Sequence, residues 1–116
     1  MKNFREKSVI IACTTDAQRE TLYECPANCR ARVPLVFITN ANGTVSVTFE
    51  WYRAEDTTHY YIISGKNLGT GEFIQLSDAY IVLEPGDKLE VTPTGSTPQV
   101  DAFCTVEEIF IPVGGA

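Results

Sequence analysis

The sequence predicts an all-β fold, a single antiparallel β-sandwich of jelly-roll-like or immunoglobulin-like type with about eight strands. Three observations point there. Short apolar runs with two-residue alternation recur at roughly 8–12-residue spacing. Turn chemistry separates them, notably at Asn42-Gly43 and Pro85-Gly86. No stretch carries the period of a helix. At 116 residues the chain is large enough for one sandwich core and too small for two.

Taken in order, residues 1–7 are polar and form an N-terminal arm, and Ser8 to Cys13 is apolar and β-branched enough for a first strand. Thr14 to Arg19 reads as a loop. Glu20 to Cys25 alternates and stops at Pro26. Arg30 to Asn40 is a longer strand in which Pro34 cannot donate to a ladder, so it begins at an edge or bulges there. The Asn42-Gly43 pair tolerates positive φ and signals a hairpin. In Val45 to Tyr52, Val45, Val47, Phe49 and Trp51 share one face and belong to the core, while Ser46, Thr48, Glu50 and Tyr52 share the other.

Thr58 to Ser64 returns with Tyr61 and Ile63 on one side and Tyr60 and Ile62 on the opposite side. Gly65 to Gly71 is a glycine-rich connection that lacks the Lys-Ser/Thr ending of a phosphate loop. Glu72 to Leu76 is a short strand. In Ile81 to Val91 two apolar runs flank Pro85-Gly86, a type II turn that reads as a hairpin, with Glu84, Asp87 and Glu90 facing solvent. The last strand places Val100, Ala102, Cys104 and Val106 on one face; the adjacent Glu107 and Glu108 break that alternation and predict a bulge. The domain thus spans residues 8–112, followed by a tail over 113–116.

The composition narrows the function classes. A formal charge of −6 argues against nucleic acid as partner, because neutralising phosphates takes surplus Lys and Arg. No apolar run approaches the roughly 20 residues that span a bilayer, so no membrane role is expected. The polar start and the short Val9-Ile10-Ile11-Ala12 run do not make a signal peptide, which predicts residence in a cell or in a particle assembled there. Cys25 and Cys29 have the spacing of half a zinc site, but Cys13, Cys104 and the single histidine, His59, supply no second half in sequence. Small thiols in a reducing compartment are the expectation.

A hydrolase would need a base beside a nucleophile, and His59 sits in a strand with no elbow-like glycine pattern around any serine. No loop has the dense Asp and Asn series of a calcium site. The expectation is therefore a protein that is not an enzyme, with no cofactor and no metal. What stands out is an aromatic surplus: Trp51, Tyr52, Tyr60, Tyr61, Phe73 and Tyr80. Such rings either pair across strands or anchor a protein contact. Tyr52, Tyr60 and Tyr80 are the candidates for an outer face, and Lys2, Phe4 and Arg5 in the arm for added reach.

The order of motifs resembles a group of small tailed-phage virion proteins. The residues that carry it are Leu22-Tyr23-Glu24-Cys25-Pro26, the strand ending at Asn40, the alternating strand from Val45, the tyrosine-rich strand from His59, the Pro85-Gly86 element and the closing Glu108-Ile109. Ala27-Asn28-Cys29 departs from the pattern after Cys-Pro. The resemblance implies a capsid decoration or cement subunit, homo-oligomeric in the virion, whose partner is the major capsid protein or another virion protein, with assembly in the cytoplasm of a bacterial host. A neck or tail adaptor is the near alternative. A carbohydrate-binding module that stacks host glycan on Trp51 or exposed tyrosines is a third.

Overall fold

A computed structural model describes residues 4–111. Nine strands run in chain order: β1 Phe4–Cys13, β2 Glu20–Glu24, β3 Cys29–Asn40, β4 Val45–Arg53, β5 Thr58–Leu68, β6 Phe73–Leu76, β7 Ile81–Leu83, β8 Lys88–Thr94 and β9 Val100–Phe110. One sheet has the order β1-β9-β3-β6, with β7 also paired to β3, and the second has the order β2-β8-β4-β5. Every pairing is antiparallel. Because β6 and β7 lie end to end along β3, they act as two pieces of one strand. The sandwich is then an eight-stranded jelly roll, in which successive strands switch sheets at every step except from β4 to β5.

That topology corrects the reading of two turns. Asn42-Gly43 links β3 to β4 and Pro85-Gly86 links β7 to β8, and in each case the two strands belong to different sheets. They are corners between sheets, not hairpins. The turn chemistry itself holds, since Gly43 and Gly86 have φ of 67° and 87°, a region open to glycine at no steric cost. Only β4 and β5 are consecutive strands paired as a hairpin across both their lengths.

Between the sheets lies a core that includes Leu22, Tyr23, Val36, Ile38, Val47, Phe49, Leu83, Leu89, Val91 and Val106. The faces follow the expected alternation on β4, although Trp51 is only half-buried at the rim. On β5 the register shifts near Phe49, so Ile63 pairs with Phe49 and Tyr61 with Glu50. Directly opposed residues share a face, so Tyr61 and Ile63 lie on opposite sides, contrary to the unbroken alternation. A second shift between Val47 and Phe49 carries β5 on to Leu68, converting half of the expected glycine-rich connection into strand.

The expected bulge at Glu107-Glu108 is absent. The irregularity lies in β3 between Arg32 and Leu35, at Pro34, where the missing N–H makes it inexpensive. β9 keeps its alternation, so Glu108 takes a core position after Val106 and is fully buried. The first strand starts at Phe4 instead of Ser8, and the pairing of Phe4 with Ile109 and Lys7 with Val106 makes four residues of the arm part of the sheet.

Candidate interaction surface

Four carboxylates are buried, those of Glu50, Asp87, Glu90 and Glu108, and each is held by partners from other strands. Glu108 accepts hydrogen bonds from the Tyr23 hydroxyl at 2.5 Å and from Arg5 Nε at 2.6 Å, and Lys7 Nζ stands at 3.2 Å. Burial by itself would raise the Glu108 pKa, but the bonds from Tyr23, Arg5 and Lys7 outweigh it and hold the carboxyl below its ordinary range. Tyr23 is pushed upward, first by burial and then by its bond to Glu108. This cluster ties the start of β1 to β9 and to β2 of the other sheet.

Asp87 occupies the corner after Pro85-Gly86 and is 2% exposed. Its carboxylate accepts from Trp51 Nε1 at 3.1 Å, from the Ala54 amide at 3.0 Å and from the Glu84 amide at 3.0 Å. The backbone around it pairs with Cys25, whose amide donates to the Asp87 carbonyl and whose carbonyl accepts from Gly86. Asp87 is therefore a cap joining β2, β4 and β7, and not a solvating residue. Glu90 is also buried, on the outer face of its sheet, against Glu50, His59 and Arg19. Of the three acids around the corner, Glu84 alone faces solvent, paired with Arg30.

An extended apolar feature lies on the outer face of the β1-β9-β3-β6 sheet. Ile10 lies directly opposite Phe103, and Phe103 opposite Phe37. The rings of Phe37 and Phe103 stack at 5.1 Å between centroids, and Phe37 and Phe73 at 4.9 Å. An apolar stripe thus crosses four strands, with Ile10 68% and Phe73 54% exposed at its two ends. Half of its signal was present in the sequence: Phe103 falls on a non-core position of β9, but Phe37 shares the parity of Ala31 and Val33 and reaches the outer face only through the irregularity at Pro34. Without the strand order, nothing showed that those positions align.

The residues expected to make contacts are dispersed. Lys2 lies outside the described residues. Phe4 is exposed on the outer face of β1, at the far end of the sheet from the stripe, whereas Arg5 points to Glu108 and lies 5.4 Å from the Phe110 ring centroid. Tyr52 is half-buried on the outer face of the second sheet, with its ring 4.9 Å from that of His59. Tyr60 is on the opposite face of that sheet, exposed, donating to Asp56 and packed 5.9 Å from Trp51. Tyr80, exposed before β7, sits under the Arg32 guanidinium at 4.3 Å. They do not form one patch.

Trp51 turns its indole N–H inward to Asp87, so its ring is committed to the rim of the core. All four cysteines are buried and unpaired. Burial pushes the thiol of Cys13 up to about 11 and those of Cys25 and Cys104 up to about 12.

No protein-family model matches the sequence, and no curated protein matches it. Solved structures do share its fold. A chain of the disulfide-linked pili that form Bacillus endospore appendages has a TM-score of 0.60 at 17% identity, over 97% of this chain and 92% of that one. The Helicobacter pylori bacteriophage KHP30 capsid structure contributes a chain with a TM-score of 0.51 at 10% identity, over 94% of each. The infectious bursal disease virus VP2 subviral particle aligns with a TM-score of 0.53 at 12% identity over 97% of this chain, which spans about a third (34%) of that longer one. At these identities the likeness establishes the jelly-roll sandwich.

Proposed function

We propose that this chain is a non-enzymatic structural subunit of a phage particle, most specifically a decoration or cement protein that binds and stabilises the coat-protein shell. The observation that carries the reading is the Ile10–Phe103–Phe37–Phe73 stripe. A sheet face with a contiguous apolar band is suited to burial against another protein surface, and a contact of roughly 1,600 Å² suffices for a stable interface. The fold is shared with subunits of capsids and of a pilus, proteins that work by repeated association, which supports the reading. The four buried thiols favour assembly by apolar contact over assembly by disulfides. Repeated copies on one shell would place like subunits side by side.

The direct test is co-sedimentation of purified protein with expanded coat-protein shells, together with mass spectrometry of intact particles. Saturable binding that is lost in an Ile10→Asp, Phe73→Asp double variant is the expected result. Absence of the protein from particles, or undiminished binding by the double variant, would remove the proposal. Copy number per particle separates a shell-wide cement from a neck or tail adaptor.

A further inference from the structure

On the outer face of the β2-β8-β4-β5 sheet, Glu50 and Glu90 are directly opposed across β4 and β8, and each is only 5% exposed. Like charges in facing cross-strand positions repel, and burial strengthens the repulsion by lowering the local dielectric. A cation placed between them relieves that repulsion. Arg19, at the entry to β2, supplies one positive charge, with Nε 3.2 Å from Glu50 and 3.7 Å from Glu90. His59 of β5 completes the group, with Nδ1 2.7 Å from Glu90 Oε1 and Nε2 3.4 Å from Arg19. One ligand atom from each of Glu50, His59 and Glu90 lies within 4.8 Å of the others.

We propose that Glu50, Glu90 and His59 bind a divalent transition-metal ion, with Arg19 as a built-in competitor for the same position. Two carboxylate oxygens and one imidazole nitrogen are a ligand set that suits zinc and its neighbours, whereas calcium takes oxygen ligands alone. A doubly charged ion neutralises both carboxylates, which a single guanidinium does not. Arg19 can leave without unpacking the core, since its side chain is 46% exposed. The three ligands come from three adjacent strands, so the ion would brace the sheet across β8, β4 and β5. The inference is independent of whether the protein cements a capsid.

Isothermal titration of the full chain with Zn²⁺ in chelator-free buffer tests it, with Ca²⁺ as the contrasting ion and Co²⁺ absorption as a check on ligand type. Wild-type protein is expected to bind one Zn²⁺ and to shift the His59 ring signals in NMR. Arg19→Ala should bind at least about tenfold tighter, a gain of about 1.4 kcal/mol, which no merely structural role for the cluster produces. His59→Ala and Glu50→Gln, each checked for folding by circular dichroism, should weaken binding by about the same factor or more. The proposal is overturned if neither wild type nor Arg19→Ala binds at millimolar Zn²⁺, or if the folded His59→Ala or Glu50→Gln protein binds as wild type does. Thiolate absorption with Co²⁺ would overturn it as well, by placing the ion on cysteines.

Discussion

Glu108 shows how one side chain can hold two layers together. Its carboxylate sits where an aliphatic residue would continue the β9 alternation, and its burial is offset by Tyr23, Arg5 and Lys7. Glu108→Ala should destabilise the fold by about 1–3 kcal/mol, since it leaves the buried Tyr23 hydroxyl without its acceptor, while Arg5 and Lys7 can turn to solvent. Chemical denaturation measures the loss. The sign of the pH dependence follows from the lowered folded-state pKa: the stabilisation is complete above the unfolded carboxylate value of about 4.3 and is lost as pH falls through the lower folded value. A Glu108→Gln protein should therefore show a shallower loss of stability in that acid range. Burial raises the Cys29 thiol as it does the other three, which predicts slow alkylation of all four buried cysteines in the native state at neutral pH, with full labelling on unfolding.

At the level of elements, the corner at Pro85-Gly86 does more than reverse the chain. Gly86 has φ of 87°, and a Cβ there would lie 3.1 Å from the Ala54 side chain. Gly86→Ala should cost about 1–2 kcal/mol, from the left-handed backbone and that contact together. Gly43→Ala meets open space at φ of 67° and should cost less, about 1 kcal/mol. Thermal melts of the two variants rank the corners. Asp87→Ala leaves the Trp51 indole and two backbone amides without their acceptor, and a loss of about 2–4 kcal/mol is expected. The strands themselves were legible from alternation. Their faces failed to be legible on β5 and on β3, where a single extra residue inverts every side chain beyond it.

Across the whole molecule, the strand order decides which surfaces exist. Ile10, Phe37, Phe73 and Phe103 are spread over most of the sequence, and only the β1-β9-β3-β6 order aligns them. Their exposed ends should tolerate polar substitution at a cost of about 1 kcal/mol, chiefly the lost Phe37–Phe73 ring stack, with a thermal melt still showing a folded protein. The same Ile10→Asp, Phe73→Asp protein should lose association with coat-protein shells. Stability and binding are thus separable on this face.

The sequence by itself determined the all-β class, the approximate strand positions and the two glycine turns, because two-residue alternation and positive φ are local properties of a few neighbouring residues. Whether a turn joins paired strands or crosses between sheets was decided only by the tertiary structure, since it depends on partners far away in the chain. The same is true of Glu108, Asp87 and Glu90, whose charges suggested solvent. Burial of an acid becomes affordable only when distant donors converge on it, and that convergence is a property of the folded sandwich.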